Sequence, residues 1–308
     1  RTASILNLYN GAGFEHFYYE KNKEYKWDYW GGTKEYCDNK NRLWMKERDY
    51  LLLLDLNTHQ FNYDIEGELA QLGIHTKIKN LFLDEDKNIW TVTVDSTFSY
   101  YDIKTRQPVF VSKGEDSFIR QYGIPKEIAQ YKGQCWIIYS SGLIRCWDYY
   151  SKEFVSQDTR FLGKINEKTD RISIQPTASG NLWLMYNHGI SYYDRLNQQW
   201  ADVATISGRS NFFTCMDLDK EGNVWVGTSL YGLRFIDAQT FHITTLPFMK
   251  LDSGGELVND IYTILVDDNN GLWVGTLFQG LCYYQPSMRK FRLAQTKQGD
   301  NYLSNENV

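Results

Sequence analysis

Several features that define common protein classes are missing from this sequence. Only 5 of its 308 residues are proline, and no run of about 18 apolar residues occurs. The sequence therefore predicts neither a proline-rich disordered chain nor a membrane-spanning helix. The formal net charge is −5 and the lysines and arginines are scattered, whereas binding to nucleic acid or to an anionic membrane requires a basic patch. We therefore expect this segment to contact neither nucleic acid nor a membrane.

Motifs for metal, redox or hydrolytic chemistry are also missing. The five cysteines form no C-x-x-C pair, and the five histidines show no metal-ligand spacing. No Gly-x-Ser-x-Gly, Walker or His-Glu-x-x-His motif occurs. The acidic turns at residues 84–86 and 267–271 lack the full set of oxygen ligands at the alternating positions of a calcium loop. We expect no metal site, no cofactor and no catalytic residue in this segment.

Aromatic residues, by contrast, are abundant and regularly spaced. They make up 16% of the chain and fit the pleated surfaces of β-sheets. Six of the 10 tryptophans form a series with spacings of 46, 46, 47, 42 and 48 residues, which indicates an internal repeat. The six are Trp44, Trp90, Trp136, Trp183, Trp225 and Trp273.

Each repeat has the pattern of four short β-strands. The two clearest copies, residues 219–228 and 267–276, combine a turn rich in Asp, Asn and Gly with Trp-Val-Gly-Thr, and a Gly-Leu pair follows. The predicted strand A precedes this turn, strand B contains the tryptophan, strand C ends near an Asp, and strand D contains a late Phe. Alternating apolar residues bounded by Gly and Asp are strand signals. A four-stranded unit of about 40 to 50 residues is typical of a β-propeller blade.

The ends of the chain contribute partial repeats. Residues 6–14 align with residues 233–241, the outer half of a blade, and residues 303–308 have the pattern of a new strand A. The six complete tryptophan-anchored repeats and this split terminal material together predict an all-β fold. We expect a β-propeller of about seven four-stranded blades that occupies residues 1–308 as a single domain, and we expect the chain to be part of a longer protein.

The repeat resembles the two-component regulator propeller repeat, which is found in the periplasmic sensor region of Bacteroides-type hybrid two-component histidine kinases. The likeness is strong around Trp225 and Trp273. It is weak around Trp44, where Met-Lys-Glu replaces Val-Gly-Thr. In that family, two propellers precede a β-sandwich, a membrane helix, a histidine kinase and a response regulator.

This resemblance implies a role in signal transduction. The chain would be the first propeller of a periplasmic sensor within a homodimeric inner-membrane protein. The sensor would detect glycan-derived oligosaccharides and regulate the genes for their utilisation. Its partners would be the oligosaccharide ligand and the other domains of the same chain. Phosphotransfer would belong to those domains, because the kinase motifs are absent here, so this segment would not be an enzyme.

Candidate binding residues lie in the predicted connections from strand D to A and from strand B to C. These connections share one face of a propeller, and loops on a rigid scaffold concentrate binding residues. Three aromatic residues in one such connection could stack on sugar rings, plug the central channel or pack on a neighbouring domain. A histidine in a B–C turn could bind ligand, sense pH or have no function. The full set of candidates is Trp27, Tyr29, Trp30, Arg48, Asp49, Tyr139, His188, Arg209, Tyr231, Phe278 and Gln279.

Two other functions remain open at this point. A propeller-fold polysaccharide lyase or glycoside hydrolase would need converging carboxylates, or a histidine with a metal, at the axis. Asp28, Asp49 and Asp95 are the available carboxylates. A protein-interaction scaffold would instead expose a broad apolar or aromatic patch and have no small-molecule pocket.

Overall fold

Four-stranded antiparallel sheets are the repeating element of the fold. The computed structural model describes residues 6–11, 13–17, 34–47, 50–112, 117–166, 170–208, 210–246, 249–250, 256–257, 260–277, 279–285 and 292–294. These residues fall into two compact units. The first unit lies within residues 30–170, and the second lies within residues 1–29 and 171–308.

The N-terminal hairpin belongs to the second unit. It consists of β1 (Leu6–Tyr9) and β2 (Phe14–Phe17), which pair antiparallel from Leu6 opposite Phe17 to Tyr9 opposite Phe14. The Tyr9 ring contacts the Trp273 ring at a centroid distance of 5.6 Å. The hairpin therefore packs against the last repeat of the same unit, as the outer half of a blade would.

The first unit contains three four-stranded sheets, each built from consecutive strands. Two short helices lie in the connections between them, and the side chain of Asp64 caps the first helix by accepting a hydrogen bond from the Gly67 N–H. In chain order, the elements are β3 (Tyr36–Cys37), β4 (Arg42–Glu47), β5 (Tyr50–Asp55), β6 (Gln60–Asn62), α1 (Ile65–Gln71), β7 (Ile78–Leu83), β8 (Ile89–Thr93), β9 (Phe98–Asp102), β10 (Gln107–Val111), α2 (Ser117–Tyr122), β11 (Pro125–Tyr131), β12 (Gln134–Tyr139), β13 (Ile144–Asp148) and β14 (Glu153–Asp158).

The second unit contains three further four-stranded sheets of the same topology and one small hairpin. Its strands are β15 (Ile172–Pro176), β16 (Leu182–Tyr186), β17 (Gly189–Asp194), β18 (Gln199–Thr205), β19 (Phe213–Leu218), β20 (Val224–Thr228), β21 (Leu233–Ile236), β22 (Ile243–Leu246), the hairpin strands β23 (Met249–Lys250) and β24 (Glu256–Leu257), and then β25 (Ile261–Val266), β26 (Leu272–Thr276), β27 (Leu281–Tyr284) and β28 (Arg292–Ala294).

The predicted fold class is confirmed, because the structure is that of an all-β β-propeller, with six four-stranded blades among the described residues. The expected number of about seven blades is slightly too high. Among the described residues, the additional blade material is the hairpin of β1 and β2. Within the same residues, no helix is long and apolar enough to cross a membrane.

The turn between strands A and B is held by one Asp in most blades. In the fifth blade, the Asp219 N–H donates to the Asn223 carbonyl (3.0 Å), and the Asn223 N–H donates to Asp219 Oδ1 (2.8 Å). Asn223 Oδ1 accepts from the Ala238 N–H at the C–D turn (2.9 Å). The two turns at this end of the sheet are therefore tied together by side chains that the sequence repeat places there.

Aromatic residues fill the space between neighbouring sheets. In the first unit, Trp90 is fully buried. Its ring lies 5.1 Å from that of Phe98 and 5.7 Å, edge-on, from that of Trp147 on the next sheet. Burying a large apolar side chain contributes about 1.5–3 kcal/mol, so these residues stabilise the contact between sheets as the repeat predicts.

Candidate functional site

The connections that the sequence singles out lie at one end of each sheet. The start of strand A pairs with the end of strand B in every blade of the second unit. Ile172 pairs with Tyr186, Phe213 with Thr228, and Ile261 with Thr276. The D–A and B–C connections therefore meet at the same end of the sheets, and we call this end of the second unit the loop face.

The first strands of adjacent sheets lie next to each other in this unit. The Thr214 hydroxyl donates to the Ile261 carbonyl (2.5 Å), and the Val266 N–H donates to Asp217 Oδ2 (2.7 Å). Side chains at the starts of these strands are therefore brought together although they are distant in sequence.

A group of polar residues lies at these strand starts on the loop face. Arg171 is central to it, because its N–H donates to Asn187 Oδ1 (2.8 Å) and its Nη1 donates to the Thr214 carbonyl (3.3 Å). Its guanidinium carbon lies 4.8 Å from the ring centre of Tyr262, within the range of a cation–π contact. We call Arg171, Asn187, Thr214, Asp260 and Tyr262 the strand-start cluster.

The charges in the strand-start cluster are partly withdrawn from water. Burial raises the pKa of the half-buried Asp260 carboxyl. Burial also raises the pKa of Tyr262, an effect that Arg171 opposes and Asp260 strengthens, so the phenol stays neutral at physiological pH. Within the part of the chain that the structure describes, the Asp260 carboxylate has no hydrogen-bond or ion-pair partner. The cluster thus offers an open acceptor beside a cation stacked on an aromatic ring.

This chemistry suits the binding of a polar, hydroxyl-rich ligand. A carboxylate accepts hydrogen bonds from hydroxyl groups, guanidinium N–H groups donate them, and an aromatic face packs on apolar C–H surface. Over the described ranges, no group of three or more His, Cys, Asp or Glu residues could hold a metal ion. The arrangement is therefore one for recognition by hydrogen bonding and stacking.

The structure places four of the predicted site residues. Tyr139 is only 1% exposed and its ring lies 5.4 Å from that of Phe118, so it packs in the core of the first unit instead of lying on a loop surface. His188 is exposed in the two-residue turn between β16 and β17. Tyr231 is 51% exposed in the next B–C connection. The backbone of Gln279 donates to Thr276 Oγ1 (2.8 Å) in the following one.

The remaining predicted site residues cannot be compared with the geometry. They lie outside the described residues, and they are Trp27, Tyr29, Trp30, Arg48, Asp49, Arg209 and Phe278.

Of the three carboxylates considered for hydrolysis, one lies within the described residues. Asp95 belongs to the first unit, where it accepts a short hydrogen bond from the Thr93 hydroxyl. That hydrogen bond lowers the pKa of Asp95, and it gives the residue a role in closing the B–C turn. Asp28 and Asp49 lie outside the described residues.

Sequence reasoning missed Arg171, Asp260 and Tyr262. Each lies at or just before the first residues of a strand A, on the loop face. Polar residues that immediately precede an alternating apolar run were the available signal. The sequence does not indicate, however, which strand starts face one another.

Comparison with known proteins supports the repeat-based interpretation. The profile described as two component regulator propeller matches residues 207–229 and 255–278. These segments contain Trp225 and Trp273, where the resemblance is strongest. A search of curated proteins finds no match.

Several solved structures share the fold. The extracellular domain of a hybrid two-component system from B. thetaiotaomicron matches with a TM-score of 0.60 and 18% identity, over 99% of this chain and 36% of that one. A second such domain from the same organism has a TM-score of 0.51 and 13% identity, over 97% and 53% of the two chains. Virginiamycin B lyase from Staphylococcus aureus has a TM-score of 0.57 and 12% identity, over 88% and 86%.

These similarities establish the fold alone, because all the sequence identities are below 20%. The chain spans between 36% and 53% of the length of the two extracellular domains. The resemblance drawn from the tryptophan repeat is confirmed: residues 207–229 and 255–278 match the two-component regulator propeller repeat, and the β-propeller fold of the chain is similar to the extracellular domains of hybrid two-component systems from B. thetaiotaomicron.

Proposed function

We propose that the chain is the ligand-sensing propeller of a hybrid two-component histidine kinase in the periplasm. The observation that carries this proposal is the pair of regulator propeller repeats at residues 207–229 and 255–278. Residues 1–308 would form one propeller domain, the first of a longer inner-membrane sensor. The ligand would be an oligosaccharide released from a glycan, and the response would be expression of the genes for its utilisation.

Signalling would work through differential binding. A ligand shifts a conformational equilibrium only as far as its affinities for the two states differ. The oligosaccharide would favour one arrangement of the propeller and its neighbouring domains, and that arrangement would bias the dimeric kinase. The propeller therefore needs a binding site but no catalytic group.

The strand-start cluster supports an oligosaccharide as the ligand. Asp260 supplies a carboxylate without a partner among the described residues, and Arg171 lies over the ring of Tyr262. Hydroxyl groups of a sugar can donate to the carboxylate and accept from the guanidinium, while its C–H face packs on an aromatic ring. The aromatic residues Trp27 and Trp30 remain candidates for further stacking in the same kind of connection.

The test is a thermal-shift screen of the chain against a panel of glycan oligosaccharides, with product analysis on the same samples. A ligand that binds only the folded state raises the melting temperature by mass action. At a ligand concentration of a hundred times Kd, the free energy of unfolding increases by about 2.7 kcal/mol. A shift with one glycan class and no cleavage is the expected result. Detection of cleavage products would indicate a lyase or hydrolase instead of a sensor. The absence of any shift in melting temperature would contradict sugar recognition by this propeller.

A further inference from the structure

Two blades carry an arginine at the same position of strand C. Arg145 precedes the turn residue Asp148 by three positions, and Arg234 precedes Asp237 by three. Both pair with the middle of strand B, where Ile137 is the partner of Arg145 and Val226 is the partner of Arg234. The two arginines belong to different units, so they are two separate copies of one local arrangement.

Arg145 lies between two aromatic rings. Its guanidinium carbon is 3.5 Å from the ring centre of Phe154 and 4.5 Å from that of Phe118. Its Nε atom is buried and has no hydrogen-bond partner among the residues that the structure describes. Among the described residues, no carboxylate pairs with this guanidinium, although the side chain as a whole is only partly buried.

Arg234 repeats these features in the other unit. Its guanidinium carbon lies 5.5 Å from the ring centre of Phe213, and its buried Nε has no partner within the described part of the chain. Burial lowers the pKa of Arg234, and the one electrostatic contact that opposes this is Tyr231. No acidic group in the described ranges therefore compensates this cation either.

The fold does not require an arginine at this position. In the other blades the position is occupied by small or apolar residues, and the Ser191 hydroxyl, for example, donates to Asp202 of the neighbouring strand (2.9 Å). A buried donor without a partner costs stability, and native proteins rarely retain one without a reason. The four other occupants are Leu52, Ser99, Ser191 and Cys282.

Both guanidinium groups are directed towards connections that belong to the predicted binding face. Phe118 lies on α2, in the D–A connection that precedes β11. Tyr231, which is 51% exposed, lies in the B–C connection above Arg234. Each guanidinium therefore adjoins a connection at the end of the sheets where the loops of its own unit gather.

We propose that Arg145 and Arg234 each bind the carboxylate group of an acidic sugar, so that the recognised glycan contains uronate residues. A guanidinium presents its N–H donors in a planar fork that matches a carboxylate, and Nε is one arm of that fork. The flanking aromatic rings fix the plane of the guanidinium and contact the sugar ring. This inference rests on the proposed function, since it names the chemical class of the oligosaccharide.

The test follows the Nε–H signals of the two arginines by ¹H–¹⁵N NMR of the 308-residue chain. Loss of a signal in Arg145→Gln or Arg234→Gln assigns it, and Arg→Lys at the same position serves if a glutamine variant does not fold. Sodium glucuronate is then titrated against methyl β-glucoside and sodium chloride at matched ionic strength. We expect saturable shifts of both Nε–H signals with glucuronate only.

Binding of an acidic oligosaccharide is then compared between variants. A galacturonate trisaccharide should bind at least tenfold more weakly to the double variant Arg145→Gln/Arg234→Gln, while its methyl ester should bind both proteins equally weakly. Arg106→Gln is the matched control, because Gln198 already occupies the equivalent turn position with a similar backbone φ. Nε–H signals that do not respond to glucuronate would overturn the inference and assign the arginines to packing. If neutral oligosaccharides nevertheless shift the melting temperature, the proposed sensor function stands without it.

Discussion

The indole nitrogen of Trp273 donates a 3.0 Å hydrogen bond to Oδ2 of Asp267, six residues earlier. The other oxygen of the same carboxylate accepts from the Gly271 N–H at 2.8 Å. Trp44 and Asp38 repeat the relationship, also at 3.0 Å. In these two blades, one side chain thus closes the A–B turn and satisfies the indole that anchors the blade.

The fourth blade lacks this bond and should gain stability from it. Thr177 stands where four of the other five blades have Asp, and among the described residues the fully buried Trp183 has no partner for its Nε1. Thr177→Asp should supply the acceptor and add about 1 kcal/mol to the free energy of unfolding. Differential scanning calorimetry should show a melting temperature that is higher by a few degrees, roughly 2–4 °C.

A double-mutant cycle separates the indole bond from the turn itself. In a Trp183→Phe background the donor is gone, so Thr177→Asp should stabilise clearly less than it does in the native background. An equal gain in both backgrounds would attribute the effect to the turn alone.

A buried carboxyl group in the first unit should make stability depend on pH. Asp84 is 3% exposed, and burial raises its pKa to about 6 although Tyr149 and Asn88 donate hydrogen bonds to it. Its folded pKa lies above its unfolded value of about 3.9. The folded state therefore binds more protons between these two values, and stability falls as pH rises from about 4 to 6, by up to about 3 kcal/mol.

The variant Asp84→Asn should remove this pH dependence. Urea unfolding at pH 5 and pH 7.5 should show that the variant gains stability over the native chain mainly at pH 7.5. Asp219→Asn, at the same turn position of the fifth blade, is the control. If the difference in free energy of unfolding between Asp84→Asn and the native chain were the same at both pH values, the raised pKa would be contradicted.

The glycine of Val-Gly-Thr should be required for contact between sheets. A Cβ atom at Gly227 would lie 2.6 Å from Cys215 Sγ and 2.7 Å from Ile261 Cγ2 on the next sheet. Gly227→Ala should therefore cost about 1–3 kcal/mol through overpacking, measured as a loss in the free energy of unfolding. Gly163→Ala is the comparison, because its Cβ would meet nothing within 4 Å and its φ of 75° carries only backbone strain. Equal losses in the two variants would contradict a steric role.

The sequence predicts the blades well because their signals are local. Asp219, Asn223 and Trp225 lie within seven residues of one another, and their hydrogen bonds form inside one turn. The tryptophan repeat and the turn residues that precede each tryptophan therefore indicate both the four-stranded unit and its boundaries. Tyr139 stays a prediction as a binding residue, but it lies at the end of strand B with its side chain in the aromatic core of the first unit, which the sequence pattern does not reveal.

The strand-start cluster could not be predicted in the same way. Arg171, Thr214 and Tyr262 are separated by more than 40 residues each, and they meet because the first strands of adjacent sheets lie side by side. Their spacing depends on the lengths of the connections between blades, which vary. A sequence read one repeat at a time indicates that polar residues precede strand A, but not which of them contact one another.

Removing the charge of Asp260 should weaken ligand binding without lowering the stability of the fold. Burial raises its pKa, so removing the charge with Asp260→Asn should leave the melting temperature at pH 7.5 unchanged or slightly higher. A hydrogen bond to a charged group is worth about 1.5–3 kcal/mol, and its loss should weaken oligosaccharide binding at least tenfold by isothermal titration calorimetry. Asp268→Asn, an exposed residue in the turn at the other end of the same sheet, should change neither property. If Asp260→Asn bound the oligosaccharide as tightly as the native chain, the strand-start cluster would have only a role in packing the first strands together.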